Sequence, residues 1–153
     1  GVSLLLGSAH LLPTPCCLYA LGAAWAPAVA HGSLWRLVAP VFLHVSLPHM
    51  VSNILFQLRF GFGVERSLGS QRFLALYLAS GAFGNLVSAA ADPGKLAVGA
   101  STCGLGLLGA TVASTLRHWD VYSPEQRRWL ACASAIFIAV LLSTHTDLYG
   151  HAG

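Results

Sequence analysis

Four side chains in this sequence have the types and spacing for acyl-transfer chemistry: Ser101, His151, His49 and Asn53. Ser101 sits in the small-residue run V-G-A-S-T-C-G-L-G, Val98 to Gly106, where a leucine would be more comfortable in lipid. A serine hydroxyl becomes a nucleophile when a base within hydrogen-bond reach takes its proton, and a histidine on a different helix supplies that base. His151 is the candidate. His49 and Asn53 stand four apart, on one face of a helix, and both can donate hydrogen bonds to the negative charge that develops on a carbonyl oxygen under attack. The backbone N–H of Ser101 joins them if the serine lies near a helix start, where amides lack intrahelical acceptors.

Each residue also has a plainer reading. A serine among small residues in a membrane span commonly serves helix packing. His49 with Asn53 would equally form a buried structural pair, and a histidine near a membrane surface is commonly interfacial. His10, His31, His44, His118 and His145 are expected in loops or at interfaces, and His145, close to Asp147, competes with His151 for the role of base. Metal chemistry has less support. There is no H-E-x-x-H run, and His145, Asp147 and His151 are spaced i, i+2, i+6, which does not place all three on one helix face. Of the five acidic residues, only Asp147 falls near the candidate site, which excludes a pair of membrane-embedded aspartates within this chain. No metal or organic cofactor is expected.

The elements that must position these residues are membrane helices. Some 56% of the chain is hydrophobic and 8% charged, against roughly a quarter charged in soluble domains. At about 20 apolar residues per crossing, the 153 residues hold about five spans and connections, an all-α, polytopic transmembrane bundle read as one domain over 1–153. A first apolar segment covers residues 1 to 24, broken by Pro13 and Pro15, and an interfacial loop covers Trp25 to Arg36. The further spans are Pro48–Val64, Phe73–Ala90, Leu96–Leu116 and Trp129–Ser143, with a sixth beginning near Asp147 and cut short. The chain opens on Gly1 and stops at Gly153 as that apolar segment begins, and reads as a piece of a longer protein. A net charge of +3 is too small and too scattered for a nucleic-acid surface, so no nucleic-acid partner is expected. Cys16, Cys17, Cys103 and Cys132 have neither zinc-site spacing nor a disulfide framework.

Arg66, Arg72, Arg117, Arg127 and Arg128 fall on the connections after the second and fourth spans, while Arg36 and Lys95 fall on the opposite side. The positive-inside rule makes the first group cytoplasmic. Spans two, four and six therefore all enter from the outer face. At 1.5 Å per residue, His49, Asn53, Ser101 and His151 then share one depth, within about two turns of the outer surface. Polar residues at membrane depth tend to face the bundle interior and to be functional. Gly99, Ala100, Gly104 and Gly106 are expected to allow the close helix approach that brings Ser101 to His151.

These residues match a known pattern. The chain resembles the rhomboid intramembrane serine proteases over nearly its whole length. The resemblance rests on Trp35-Arg36, on F-L-H-V-S-L-P-H-M-V-S-N ending in His49-x-x-x-Asn53, on G-V-E-R-S-L-G with Glu65 and Gly69, on Gly99-Ala100-Ser101 and on G-H-A-G around His151. N-I-L-F-Q-L-R-F-G, Y-L-A-S-G and A-D-P are most similar to the eukaryotic secretase-type branch. The resemblance implies a six-helix core, here with its first and last helices truncated. It makes Ser101 the nucleophile and His151 the general base of a dyad without a carboxylate. It also makes His49, Asn53 and the Ser101 amide the oxyanion hole. Trp35, Arg36 and Glu65 are implied to be structural, the last two holding the first loop. Two positions depart from the family pattern: Thr102 stands where glycine usually follows the nucleophile, and Leu105 where many members carry a tyrosine that stacks on the catalytic histidine.

The implied activity is that of an integral, multi-pass serine endopeptidase. It cleaves transmembrane segments of other membrane proteins from a water-filled cavity on the outer or luminal side of the plasma membrane or a secretory-pathway membrane. Its partners are transmembrane protein substrates and the lipid bilayer. The alternative is a catalytically impaired relative that binds membrane clients for trafficking or degradation. Such relatives typically lose the serine or the histidine, and both are present here.

Overall fold

The computed structural model describes residues 13–147, with the side chains of 137 and 140–147 excepted. The described residues are mainly helical and contain no strand, Ala24 and Ala97 forming a one-pair bridge. The α-helices are α1 (Pro15–Leu21), α2 (Ala26–Ala30), α3 (Leu47–Leu68), α4 (Ser70–Ala91), α5 (Ser101–Arg117) and α6 (Pro124–Asp147). Short 3-10 turns occupy Leu34–Leu37, Ala39–Phe42 and Trp119–Val121. The all-α bundle expected from the sequence is thus what the chain forms. Among the described residues α4 alone is long and apolar enough to cross a membrane by length and composition. The 22-residue α3 carries Arg59, Glu65 and Arg66, and α5 has 17 residues, about 25 Å at helical rise.

Local chemistry explains the boundaries. Thr14 starts α1 by accepting from the Cys17 amide (3.3 Å), and Gly22, at φ 112°, ends it. Ser46 caps α3 by accepting from the His49 amide (3.3 Å), with Pro48 in the first turn where its missing N–H costs nothing. Four residues beyond the expected end of this span, α3 stops at Leu68. The single residue Gly69, at φ 79°, then reverses the chain into α4. Glu65 braces this corner: its carbonyl accepts from the Gly69 amide (2.7 Å) and its Oε1 from the Ser70 hydroxyl (2.7 Å). Glu65 is therefore structural as the resemblance implied, but at the α3–α4 turn, not at the first loop.

Arg36 does hold that loop. Its buried guanidinium donates from Nη1 to the Tyr19 (2.8 Å) and Ala23 (3.1 Å) carbonyls and lies over the Tyr19 ring at 4.2 Å and the Trp35 ring at 4.7 Å. The segment read as a plain interfacial loop is in fact ordered into α2 and a 3-10 turn around this one cation. Replacing Arg36 with leucine leaves two carbonyls short of a charged donor, an expected loss of about 2–4 kcal/mol. The check is a lowered thermal midpoint in detergent, with Arg36→Lys losing less because its ammonium keeps one of the bonds. Asn85, buried on α4, ties the same loop down by donating to the Leu37 carbonyl (2.8 Å).

Two compact units divide the chain, Gly1–Leu107 and Leu108–Gly153. In the first, small residues let helices meet at backbone distance. A Cβ on Gly81 would fall 2.6 Å from the Cys103 Sγ, one on Gly84 2.5 Å from the Thr102 Cγ2, and one on Gly106 would collide with Ser80. The α4 and α5 backbones are therefore interlocked by reciprocal notches. Val41, Ala100 and Cys103 form a buried cluster here, with Tyr77 packed against it. In the second unit, Ser123 and Gln126 form a reciprocal cap at the start of α6: the Gln126 amide donates to the Ser123 Oγ (3.2 Å) and the Ser123 amide to the Gln126 Oε1 (2.8 Å). Arg127 lies over the Trp119 ring at 3.9 Å in the same unit. Large apolar side chains such as Phe42, Phe62 and Phe83 are exposed, an arrangement suited to lipid.

Candidate active site

Ser101 is the first residue of α5. The Ala100 carbonyl accepts the helix's opening bond from the Gly104 amide (3.0 Å). The Ser101 N–H is therefore among the amides that a helix leaves without an internal acceptor. The expected span from Leu96 is helical only from Ser101 onward. Residues 97–99 run instead as a non-helical approach held by its backbone: Ala24 and Ala97 exchange two bonds of 2.9 Å, and the Gly99 amide donates to the Pro40 carbonyl (2.9 Å). Every one of these partners belongs to the loop that Arg36 and Asn85 anchor.

Gly99 has a different role from the helix-packing one expected. Its φ of 118° lies in the left-handed region, and a Cβ there would fall 2.9 Å from the His49 Cε1. The imidazole of His49 thus rests against the backbone two residues before the serine. Gly99→Ala both strains the backbone and displaces that ring. Any turnover that depends on Ser101 is expected to fall about 10- to 100-fold, with helical content by circular dichroism unchanged.

Asn53, one turn along α3 and almost fully buried, donates from Nδ2 to the His49 carbonyl (2.9 Å). An amide nitrogen carries two N–H groups, so one remains for a further acceptor. His44 lies beside this pair, its ring 5.3 Å from that of His49 at 70°. Burial, and secondarily the His49 ring, hold the His44 imidazole below its ordinary value, which keeps it neutral at pH 7. Sequence reading had left His44 in a loop without a role.

The structure therefore brings His49 to Gly99, places Asn53 beneath it and sets Ser101 at a helix head. His151 and the competing side chains of His145 and Asp147 lie outside the described residues. The two departures from the family pattern have definite places. Thr102 packs into the Gly84 notch and donates to the Gly81 carbonyl (3.4 Å), so its bulk is taken up by the α4–α5 contact. Leu105 is exposed one turn beyond the serine. Among the described residues no group of three or more metal-ligating side chains occurs.

Gln57 was missed by sequence reading. It stands four residues after Asn53 and eight after His49, continuing one stripe of α3, and its Nε2 donates to the Ala100 carbonyl (3.3 Å). That helical periodicity was the available signal.

The sequence model of the Rhomboid domain matches residues 31–153. The chain belongs to the rhomboid family. It is 39% identical over 140 residues to Rhomboid-like protease 3 of Toxoplasma gondii, an alignment covering 89% of this chain and 53% of that protein. It is 42% identical over 105 residues to Rhomboid protease GluP of Bacillus subtilis (strain 168), covering 69% and 20% respectively. RHOMBOID-like protein 6, mitochondrial, of Arabidopsis thaliana is 33% identical over 144 residues, covering 92% and 47%. This rhomboid chain spans about half the length of the first of these relatives. No solved structure matches it. Membership makes it an integral membrane protein of an intramembrane protease family.

Proposed function

We propose that this chain is the catalytic core of an intramembrane serine endopeptidase that hydrolyses a peptide bond in or near a transmembrane segment of another membrane protein. The observation that carries the reading is that the His49 ring, on a stretch of α3 whose His49 carbonyl Asn53 holds, rests against Gly99, two residues before Ser101 at the head of α5. In this mechanism the Ser101 Oγ attacks the scissile carbonyl carbon as His151 takes its proton. The oxygen's developing charge is received by the Ser101 N–H, the His49 ring and the second Asn53 N–H. Collapse of the tetrahedral intermediate expels the amine, which receives the proton from His151. Water, activated by the same histidine, then hydrolyses the acyl-serine.

The buried Asn53 and the half-buried His44 and His49 support a partly buried surround, in which each donated hydrogen bond counts for more than in water. The excess of arginine on the connections after α3 and α5 supports an active site open to the outer or luminal side. The corresponding membrane in this reading is the plasma membrane or one of the secretory pathway. Substrate helices that unwind easily near the outer face fit a site built from non-helical backbone.

The test is the full-length protein in liposomes with a fluorogenic transmembrane substrate. Cleavage that Ser101→Ala and His151→Ala abolish, while His145→Ala leaves it intact, supports the dyad. Folded wild type inert toward a panel of such substrates, or equal cleavage by Ser101→Ala, overturns the reading in favour of client binding without proteolysis.

A further inference from the structure

We propose that Gln57 and Tyr77 are positioning residues for the Ser101 amide, clamping the peptide unit that bears it; this deepens, and rests on, the proteolytic reading above. The Ala100 carbonyl and the Ser101 N–H belong to one planar trans peptide and point in opposite directions. Whatever holds the carbonyl therefore aims the N–H. Gln57 Nε2, from α3, donates to that carbonyl at 3.3 Å. The Gly104 amide donates to the same oxygen at 3.0 Å. Tyr77, from α4, donates its hydroxyl to Gln57 Oε1 at 2.7 Å. This bond commits the amide oxygen to the tyrosine and leaves the amide nitrogen facing Ala100.

The surroundings explain why two polar side chains are used. Ala100 is 4% exposed, Val41 3% and Cys103 0%, and Tyr77 packs against the cluster they form. In such a setting a carbonyl has no water to fall back on, and a half-satisfied amide would leave an uncompensated polar group. A fully connected chain from Tyr77 through Gln57 to Ala100 avoids that cost. It also polarises the peptide, making its N–H a stronger donor on the opposite side. His49 and Asn53 account for the first two polar positions of the α3 stripe; the clamp accounts for the third.

The experiment uses the full-length protein in liposomes with a fluorogenic transmembrane substrate, and compares wild type with Gln57→Leu, Tyr77→Phe and the double variant. Gln57→Leu is expected to lower kcat about tenfold with KM nearly unchanged, the loss of one well-placed hydrogen bond. Tyr77→Phe is expected to lower it about threefold, and the double variant to be no worse than Gln57→Leu, because the hydroxyl acts through the amide. Hydrogen-exchange mass spectrometry supplies a readout independent of turnover. Exchange of the amides of residues 98–104 speeds up in Gln57→Leu while that of α4 does not.

Unchanged kcat in both variants of an active enzyme overturns the clamp, as do losses that multiply in the double variant or faster exchange throughout α3, α4 and α5. Tyr77→Phe removes a single oxygen and carries the test if Gln57→Leu does not fold. If wild type shows no Ser101-dependent turnover, the proteolytic reading falls. Exchange at 98–104 then still decides the clamp: acceleration supports it and no change overturns it.

Discussion

Under the proposed mechanism, Ser101→Ala is expected to lower the rate of transmembrane-substrate cleavage by about 10⁴-fold or more, and His151→Ala to do the same, with no further loss when the two are combined. The reason is that nucleophile and base act as a unit: without the hydroxyl there is nothing for the imidazole to deprotonate, and without the imidazole the hydroxyl is a poor nucleophile at neutral pH. Residual turnover would come from the oxyanion donors and substrate binding alone. Initial rates in liposomes, with circular dichroism confirming folded variants, measure this directly. The position of Ser101 argues against structural collapse as the cause of the loss. It is the first residue of α5 and its side chain is only half-buried, so removing one oxygen leaves no cavity of consequence. Multiplicative losses in the double variant would show that the two residues do not share a step.

Asn53→Ala is expected to lower kcat about 10²- to 10³-fold while leaving KM nearly unchanged, the signature of a donor that matters only when charge develops. One N–H of Asn53 is spent on the His49 carbonyl (2.9 Å). The substitution therefore frees that end of α3 as well as removing a donor, and the first effect falls on His49. His49→Ala, measured alongside, separates the two. If Asn53 acts only by bracing His49, the double variant equals His49→Ala; if both donate to the oxyanion, it is worse. A loss of less than about threefold in Asn53→Ala removes the residue from the oxyanion hole and returns it to a buried structural pair.

The thermodynamic logic of the site is that of a rigid frame around one strained turn. Gly99 holds φ at 118°, a conformation that costs an ordinary residue of order 1–3 kcal/mol. The frame that imposes it consists of backbone bonds from Ala24 and Pro40, both in the loop anchored by Arg36 and Asn85. Structural residues far from Ser101 in sequence are thus coupled to the geometry of its amide.

Composition alone determined that this chain is a helical membrane protein, because an apolar fraction this high with so few charges has no soluble solution. Residue type pointed to the candidate chemistry as well: a serine, two histidines and an asparagine are expected at one depth, and the i, i+4 spacing of His49 and Asn53 fixes their common face wherever the helix ends. What the sequence could not determine was the path of backbone between helices. The span expected from Leu96 is non-helical up to Ser101, because the Ala97 amide and carbonyl pair with Ala24 and the Gly99 amide with Pro40, partners 73 and 59 positions away that no local pattern reveals. The same holds for Gly99, whose need for glycine comes from the His49 ring beside it, and for Thr102, whose bulk fits only because Gly84 faces it. Gln57 is the intermediate case: its place on the α3 stripe is written in the periodicity. Its role depends on Tyr77 and Ala100 meeting it from two other parts of the chain, and tertiary packing alone decides that.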